Sequence, residues 1–450
     1  MSDQVFVGSI VLSDRVIDKG YVLVSDGLLR AVGDGAPPSG EVHGDASTVV
    51  LPGAIDAQVH SRSQRDQEDF IWSTHSAAAG GVTTIVDMPY DDGDLICTAP
   101  QFTQKAIEAG EQARVDFALY ATAAPEDGAT HIDALVEAGA AAFKFSTFGT
   151  DPKRFPRIPP HVMHACFAAI AKHGLMAGVH NEDDETVRAA MAMVKASGDT
   201  SYAAHNRSRP PIAEALATAQ VYEIGASTGC AAHIVHCSIG RGYDLAEAYR
   251  AQGFEATIEA CIHYLMLDED DVARVGGLAK VNPPIRPKPE REKLWQHLAA
   301  GNITVVSTDH VSWSLDRKTK PDMLANSSGL PGLEALVPLL VKGLVEHDLP
   351  LTHAARLLAA NPAKLFRLEH VKGALDVGRD GDVILMSKSP YRYDPAAAGA
   401  NVVDWSPYAG MEMPYRVEAA YLRGQVVSVG GQVLAKPGTG RFQRPLPRAA

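Results

Sequence analysis

Residues 51–60 read LPGAIDAQVH, and the fold follows from how that stretch repeats along the chain. Pro52-Gly53 breaks the chain, and Ala54–His60 then runs as an apolar strand interrupted at Asp56, Gln58 and His60. Period two along an extended segment puts those three on one face. Seven further strand-like runs follow at Val82–Met88, Val115–Ala121, Ala140–Ser146, Leu175–His180, Ala232–His236, Phe254–Cys261 and Ile303–Asp309. Stretches rich in Ala, Leu, Glu and Lys lie between them, such as Pro100–Gln112, Pro160–His173 and Pro211–Ile224. Eight alternating β and α units predict an α/β fold closed as a parallel (β/α)8 TIM barrel rather than an open sheet.

The two ends have a different texture. VFVGSIVLSD and YVLVSDGLLRAVG near the start, and DGDVILMS, VEAAYLRG and QVVSVG near the finish, are short strands broken by glycine turns. They predict a small β-sandwich domain built from both termini, residues 1–50 and 375–450, around a barrel of residues 51–374. A formal charge of -13 disfavours nucleic acid, which needs concentrated Lys and Arg. Apolar runs stop short of the roughly 18 residues that a membrane helix needs, and the N-terminal stretch has no basic-then-apolar pattern. Five scattered cysteines without a CxxC pair predict neither a disulfide framework nor a zinc knuckle. The cytoplasm is the expected compartment.

In such a barrel the chemistry collects at the C-terminal strand ends. Those ends carry Gln58 and His60, Lys144, His180, His236, and Asp309-His310. One histidine at a strand end is most often structural; five ends delivering metal-competent side chains to one mouth are not. Imidazole and carboxylate donors suit zinc or a similar ion. Lys144 lies in AAAFKFS, where an ammonium is costly and its pKa falls, so a neutral amine can capture carbon dioxide as a bridging carbamate. Asp309 can ligate metal and take the proton of an attacking water. Cys237 reads as a buried structural thiol, His310 as a group orienting Asp309, and Gly80-Gly81 as a point of close backbone approach.

The ordered segments AAAGGVTTIVDMP, AAFKFS, GVHNEDDE, HIVHCS, ACIHYL, KVNPPIR, STDH, GLPGLEALVPLL, NPAKLF and GALDVGRDGDVIL, with the stretch quoted first, resemble the cyclic amidohydrolases. That group comprises hydantoinase and dihydropyrimidinase, allantoinase and dihydroorotase. The resemblance implies one or two divalent metals, zinc foremost, bridged by a carbamylated Lys144. His180 and His236 would hold the second ion, and His60 and Asp309 the first. It implies ring opening by metal-activated water with Asp309 as general acid/base, and a homotetramer or homodimer. One departure stands out, because the first strand of the group reads His-x-His and here reads Gln58-Val59-His60. Gln58 either binds the first ion, leaves that site weakly filled, or leaves the second ion to work alone.

The substrate features are mixed. Arg62, two residues past His60, resembles the arginine with which dihydroorotase grips a carboxylate, and His263 and Asn282 resemble that enzyme too. Gly329 resembles the loop that presents backbone groups to the ring amide. Tyr90-Asp91-Asp92 replace an expected asparagine, and Gly149 replaces the tyrosine of dihydropyrimidinases. That leaves His263 or Ser146-Thr147 as oxyanion donors. The leading expectation is a hydrolase of a small cyclic amide, ureide or imide, hydantoin- or allantoin-like. A dihydroorotate-like ring and a non-catalytic scaffold of the same fold are the alternatives, separated by ligand retention.

Overall fold

The computed structural model describes residues 3–447. At its centre eight parallel strands follow one another in chain order: β1 (Ala54–Val59), β2 (Val82–Asp87), β3 (Asp116–Ala121), β4 (Ala142–Ser146), β5 (Met176–His180), β6 (Ala231–Ile234), β7 (Ala256–Cys261) and β8 (Val305–Ser307). Nearly every residue of these strands is buried, as strands covered by helices on one side and by the barrel interior on the other must be. The ring closes at its C-terminal end, where the His60 N–H donates to His310 O at 3.0 Å. The expected barrel is therefore present, with strand limits within about two residues of those read from sequence.

The intervening helices start and stop on local chemistry. Pro160–His173 and Pro211–Thr228 begin on a proline, whose missing N–H is one that a helix start cannot pair anyway. Asp184–Ser197 is capped by Asp183, which accepts from Thr186 N at 2.9 Å. Gly80 and Gly81 close the helix Phe70–Gly80 against the rest of the molecule. A Cβ on Gly80 would stand 2.6 Å from the Glu334 backbone, and Gly81 has φ 87°.

Strands from both termini share one nine-stranded sheet. Val49–Pro52 joins the halves, pairing parallel with Gln4–Val11 and antiparallel with Val383–Ser387. Alternation sorts its faces. Val50, Val383, Leu385 and Tyr421 pack with Phe6 and Val22 into the sheet's own core, while Leu51, Ile384, Met386 and Leu422 join the barrel's core. Sheet and barrel also meet at the N-terminal end of β3, where Lys372 Nζ lies 2.6 Å from Asp116, 2.8 Å from Asp380 and 2.7 Å from Asp382. Among the described residues no helix is long and apolar enough to cross a membrane.

Candidate active site

Five strand ends meet at the opposite end of the barrel. Gln58 of β1, His60 just past it, Lys144 of β4, His180 of β5, His236 just past β6 and Asp309 just past β8 line one cavity of about 160 Å³. His236 and Asp309 hold left-handed backbone conformations, φ 41° and 51°. Non-glycine residues held there cost about 1–3 kcal/mol each and cluster at functional sites. The turn they make aims both side chains back across the mouth.

The donors fall into two groups. On one side His180 Nδ1 stands 3.0 Å from His236 Nε2. His180 Nε2 faces Glu182 Oε2 at 2.8 Å, and Arg209 holds the same carboxylate oxygen. Ionised Glu182 therefore accepts a hydrogen bond from Nε2–H, which leaves Nδ1 as a lone-pair donor. Burial pushes both imidazoles down, which keeps them neutral. On the other side Asp309 Oδ1 accepts from Gln58 Nε2 at 2.6 Å and lies 3.2 Å from His60 Nε2. Burial pulls the Asp309 carboxyl up, but His60, His263 and Lys144 together outweigh it, so the group stays below the ordinary carboxylate range.

Lys144 shares that cavity and is 1% exposed. Burial brings its ammonium down to about 8, against the opposing pull of Asp309 and Glu259. Below it Asp56 ties β1 to β8, accepting from Thr308 Oγ1 at 2.6 Å and Thr308 N at 3.1 Å. Burial lifts Asp56 to about 7. Glu259 Oε1 accepts from the His236 N–H at 3.0 Å and so supports its left-handed turn.

The residues expected to touch substrate do not all arrive. Asn282 and Gly329 line the cavity. Asn282 Oδ1 is buried without a hydrogen-bond partner, whereas the Gly329 N–H is spent on Lys280 O at 2.9 Å. Arg62 turns away from the cavity. Its guanidinium bonds Asp69 at 2.7 Å and Glu108 at 2.8 Å, over the Phe70 ring. The chain bends after His60, where Ser61 N donates to Asp87 Oδ2 at 2.8 Å, so the strand's period no longer governs Arg62. His263 is buried behind the cavity wall, and neither ring nitrogen has a hydrogen-bond partner. Burial pushes its imidazole down to about 4.

Ser146 and Thr147 are also corrected as oxyanion donors. Ser146 Oγ donates to Phe148 O at 2.6 Å, and Thr147 Oγ1 sits 2.8 Å from both His180 O and Glu182 O. His310 does not orient the Asp309 carboxylate. Its ring binds Glu68 at 2.9 Å and accepts from Gly332 N at 3.1 Å, fixing the loop after β8. Cys237 is buried and free, as expected. Cavity residues that escaped the sequence reading as site residues include Ser63, Thr150, Asp151, Arg154, Phe155, Val311 and Trp313. None follows a strand-end period, so no signal in the sequence marked them.

The donor set fits a divalent ion. Two imidazole nitrogens held 3.0 Å apart match the roughly 3.3 Å that Zn–N bonds of about 2.0–2.1 Å impose in a tetrahedral site. Gln58 offers only a neutral amide oxygen, Oε1, buried without a partner, while its amide N–H is spent on Asp309. The carboxylates Asp116, Asp380 and Asp382 also converge within 4.8 Å of one another, but Lys372 already supplies their cation at the far end of the barrel.

Comparison with known proteins gives the same picture. A family model described as amidohydrolase family matches residues 49–427. The chain is 34% identical over 435 residues to an allantoinase of Rubrobacter xylanophilus, covering 94% of this chain and 93% of that one. It is 34% identical over 410 residues to a dihydroorotase of Halobacterium salinarum, covering 89% and 92%. The solved L-hydantoinase (dihydropyrimidinase) of Arthrobacter aurescens superposes with TM-score 0.93 at 28% identity, covering 98% of this chain and 99% of that one.

Proposed function

The chain belongs to the amidohydrolase family, and from that premise we propose that it opens a small hydantoin- or allantoin-like ring by hydrolysing a ring C–N bond. At the coarser level it is a hydrolase of cyclic amides from a metal-dependent family. One observation carries the finer reading: Gln58, His60, Lys144, His180, His236 and Asp309 line a single cavity.

In this reading His180 Nδ1, His236 Nε2 and a carbamylated Lys144 would hold the second zinc or similar ion. His60 and Asp309, with the same carbamylated Lys144, would hold the first, with Gln58 as its weak point. A bound metal would supply Lewis-acid polarisation of the ring carbonyl and a lowered pKa for water. Asp309 Oδ1, kept ionised by His60, accepts the proton of the attacking water and returns it to the departing ring nitrogen. Asn282 Oδ1 takes a hydrogen bond from a ring N–H. Tyr90, Phe155 and Trp313 wall the cavity against bulk water.

Five free cysteines, four of them buried, support a reducing compartment, hence the cytoplasm. Met193, Ile212 and Leu216, 73%, 54% and 49% exposed, supply apolar surface for a homodimer or homotetramer. The test is a panel of hydantoin, allantoin, dihydrouracil and dihydroorotate, with metal content measured on the same sample. Stoichiometric metal with opening of at least one ring is expected. Metal-free protein that stays inert after zinc and bicarbonate are supplied would favour the scaffold alternative.

A further inference from the structure

The buried guanidiniums around the cavity are neutralised by carboxylates. Arg62 has Asp69 and Glu108, Arg209 has Glu182, and Arg286 has Glu214. Arg154, which lines the cavity itself, is different. Its Nε donates to Tyr90 O at 3.1 Å and its Nη2 to Ser63 Oγ at 2.8 Å. Both partners are neutral, and among the described residues no carboxylate lies within ion-pair distance. Nη1 makes no hydrogen bond to the protein.

The side chain is nevertheless held in place. Asp151 Oδ1 accepts from the backbone N–H of Lys153 at 2.9 Å and of Arg154 at 2.8 Å, which folds the loop after β4 into a tight turn. Phe155 anchors that turn, its ring 3.9 Å from the Tyr90 ring and edge-on to His180 at 5.9 Å. Asp91, Asp92 and Asp151 act on Arg154 only from longer range, and Arg317, stacked 3.9 Å over the Trp313 ring, pushes against its charge. A positive fork with a free edge thus faces the cavity of a protein whose net charge is -13.

We propose that Arg154 is a specificity-determining residue of this chain and binds a carboxylate carried by the ring that the site opens. The inference rests on the ring-opening reading above and sharpens its substrate class to cyclic amides with an anionic substituent. Two N–H groups of a guanidinium match the two oxygens of a carboxylate, and the charge makes each bond stronger than a neutral one. A neutral substituent would leave the half-buried cation without a counter-charge.

The experiment compares kcat/KM for hydantoin-5-acetate and its neutral isostere hydantoin-5-acetamide in the metal-loaded enzyme. A hydrogen-bonded charge contact predicts that the acid is favoured by roughly 10- to 100-fold. Arg154→Gln should erase that preference, chiefly through KM, and Arg154→Lys should keep part of it, since lysine retains the charge but not the fork. Equal kcat/KM for the two rings in the unmutated enzyme, or a preference that survives Arg154→Gln, overturns the proposal. Should neither ring open while hydantoin or allantoin does, the proposal is overturned; should no ring open at all, the ring-opening reading fails instead. Calorimetric titration with hydantoin-5-acetate then decides this one: binding lost in Arg154→Gln supports it, and no binding overturns it.

Discussion

Lys144→Arg keeps a long cationic side chain in the barrel but removes the amine. Burial brings the Lys144 ammonium from 10.5 to about 8. At pH 7 that makes about 9% of it neutral, against about 0.03% for an unperturbed lysine, roughly a 300-fold gain in the form that captures carbon dioxide. The sign follows directly: raising the pH deprotonates the amine, so carbamate climbs from pH 7, passes half-maximal amine near about 8 and then flattens. Arginine stays charged throughout and cannot follow. The assay is carbon-13 NMR of protein equilibrated with labelled bicarbonate and zinc, alongside metal analysis. One labelled carbon per chain is expected in the unmutated protein and none in Lys144→Arg. Loss of an outer partner alone costs about 10- to 100-fold in metal affinity, so loss of a bridging ligand should strip the ion during gel filtration. Full metal content and turnover in Lys144→Arg would refute the carbamate.

Gln58→His should raise metal content by one ion per chain and slow its removal by chelators; an unchanged stoichiometry would show that position 58 does not limit the first site. Asp309→Ala should abolish ring opening while the circular dichroism spectrum is kept, at a stability cost of about 1–3 kcal/mol as Gln58 and His60 lose their shared acceptor. Surviving turnover would remove Asp309 from proton transfer. Stability of the metal-free protein should fall in acid in two windows. The buried His263 imidazole, pushed down to about 4 by burial, resists a proton that the unfolded chain takes near 6.5, so stability drops between those values. Glu182, which burial raises but Arg209 and His180 hold down to about 2, adds about 3 kcal/mol above pH 4.5 that is lost as pH falls toward 2. A urea midpoint that stays constant from pH 6.5 to 4 would contradict the first window, and a loss of stability below 4.5 that persists undiminished in Glu182→Gln the second.

The barrel was legible because a buried parallel strand is apolar along its whole length, and its polar residues stand out where it ends. Lys144 in AAFKFS and His180 in GVHN were visible for that reason. The same logic misplaced Arg62. Period two holds only inside a strand, and β1 stops at Val59. Two residues later the chain has turned toward Asp69 and Glu108, whose positions on the next helices no local pattern announces. His263 fails in another way. It opens the short helix Ile262–Met266, every residue of which is buried, so its ring is enclosed behind the cavity instead of presented to it. Arg154 was illegible because its place depends on a turn made by Asp151 and on a ring contact between Phe155 and Tyr90, residues some sixty positions apart.

What separates a working hydrolase from a scaffold of the same shape is where the molecule tolerates cost. Gln58 Oε1, His236 Nδ1, Asn282 Oδ1 and both nitrogens of His263 are buried without hydrogen bonds. Unsatisfied groups of this kind cost about 1–3 kcal/mol each. His236 and Asp309 add left-handed backbone, and Lys144 adds a buried amine. All six residues line or adjoin one cavity, while the equally buried Lys372, Asp116 and Asp382 at the other end of the barrel are mutually paired. A scaffold gains nothing from the first arrangement, and single changes such as Lys144→Met or Asn282→Leu would relieve it. Bound metal and substrate would instead satisfy Gln58 Oε1 and Asn282 Oδ1 directly. The ligand-competent set kept around that cavity argues that Gln58 modifies a functioning centre rather than marking its loss.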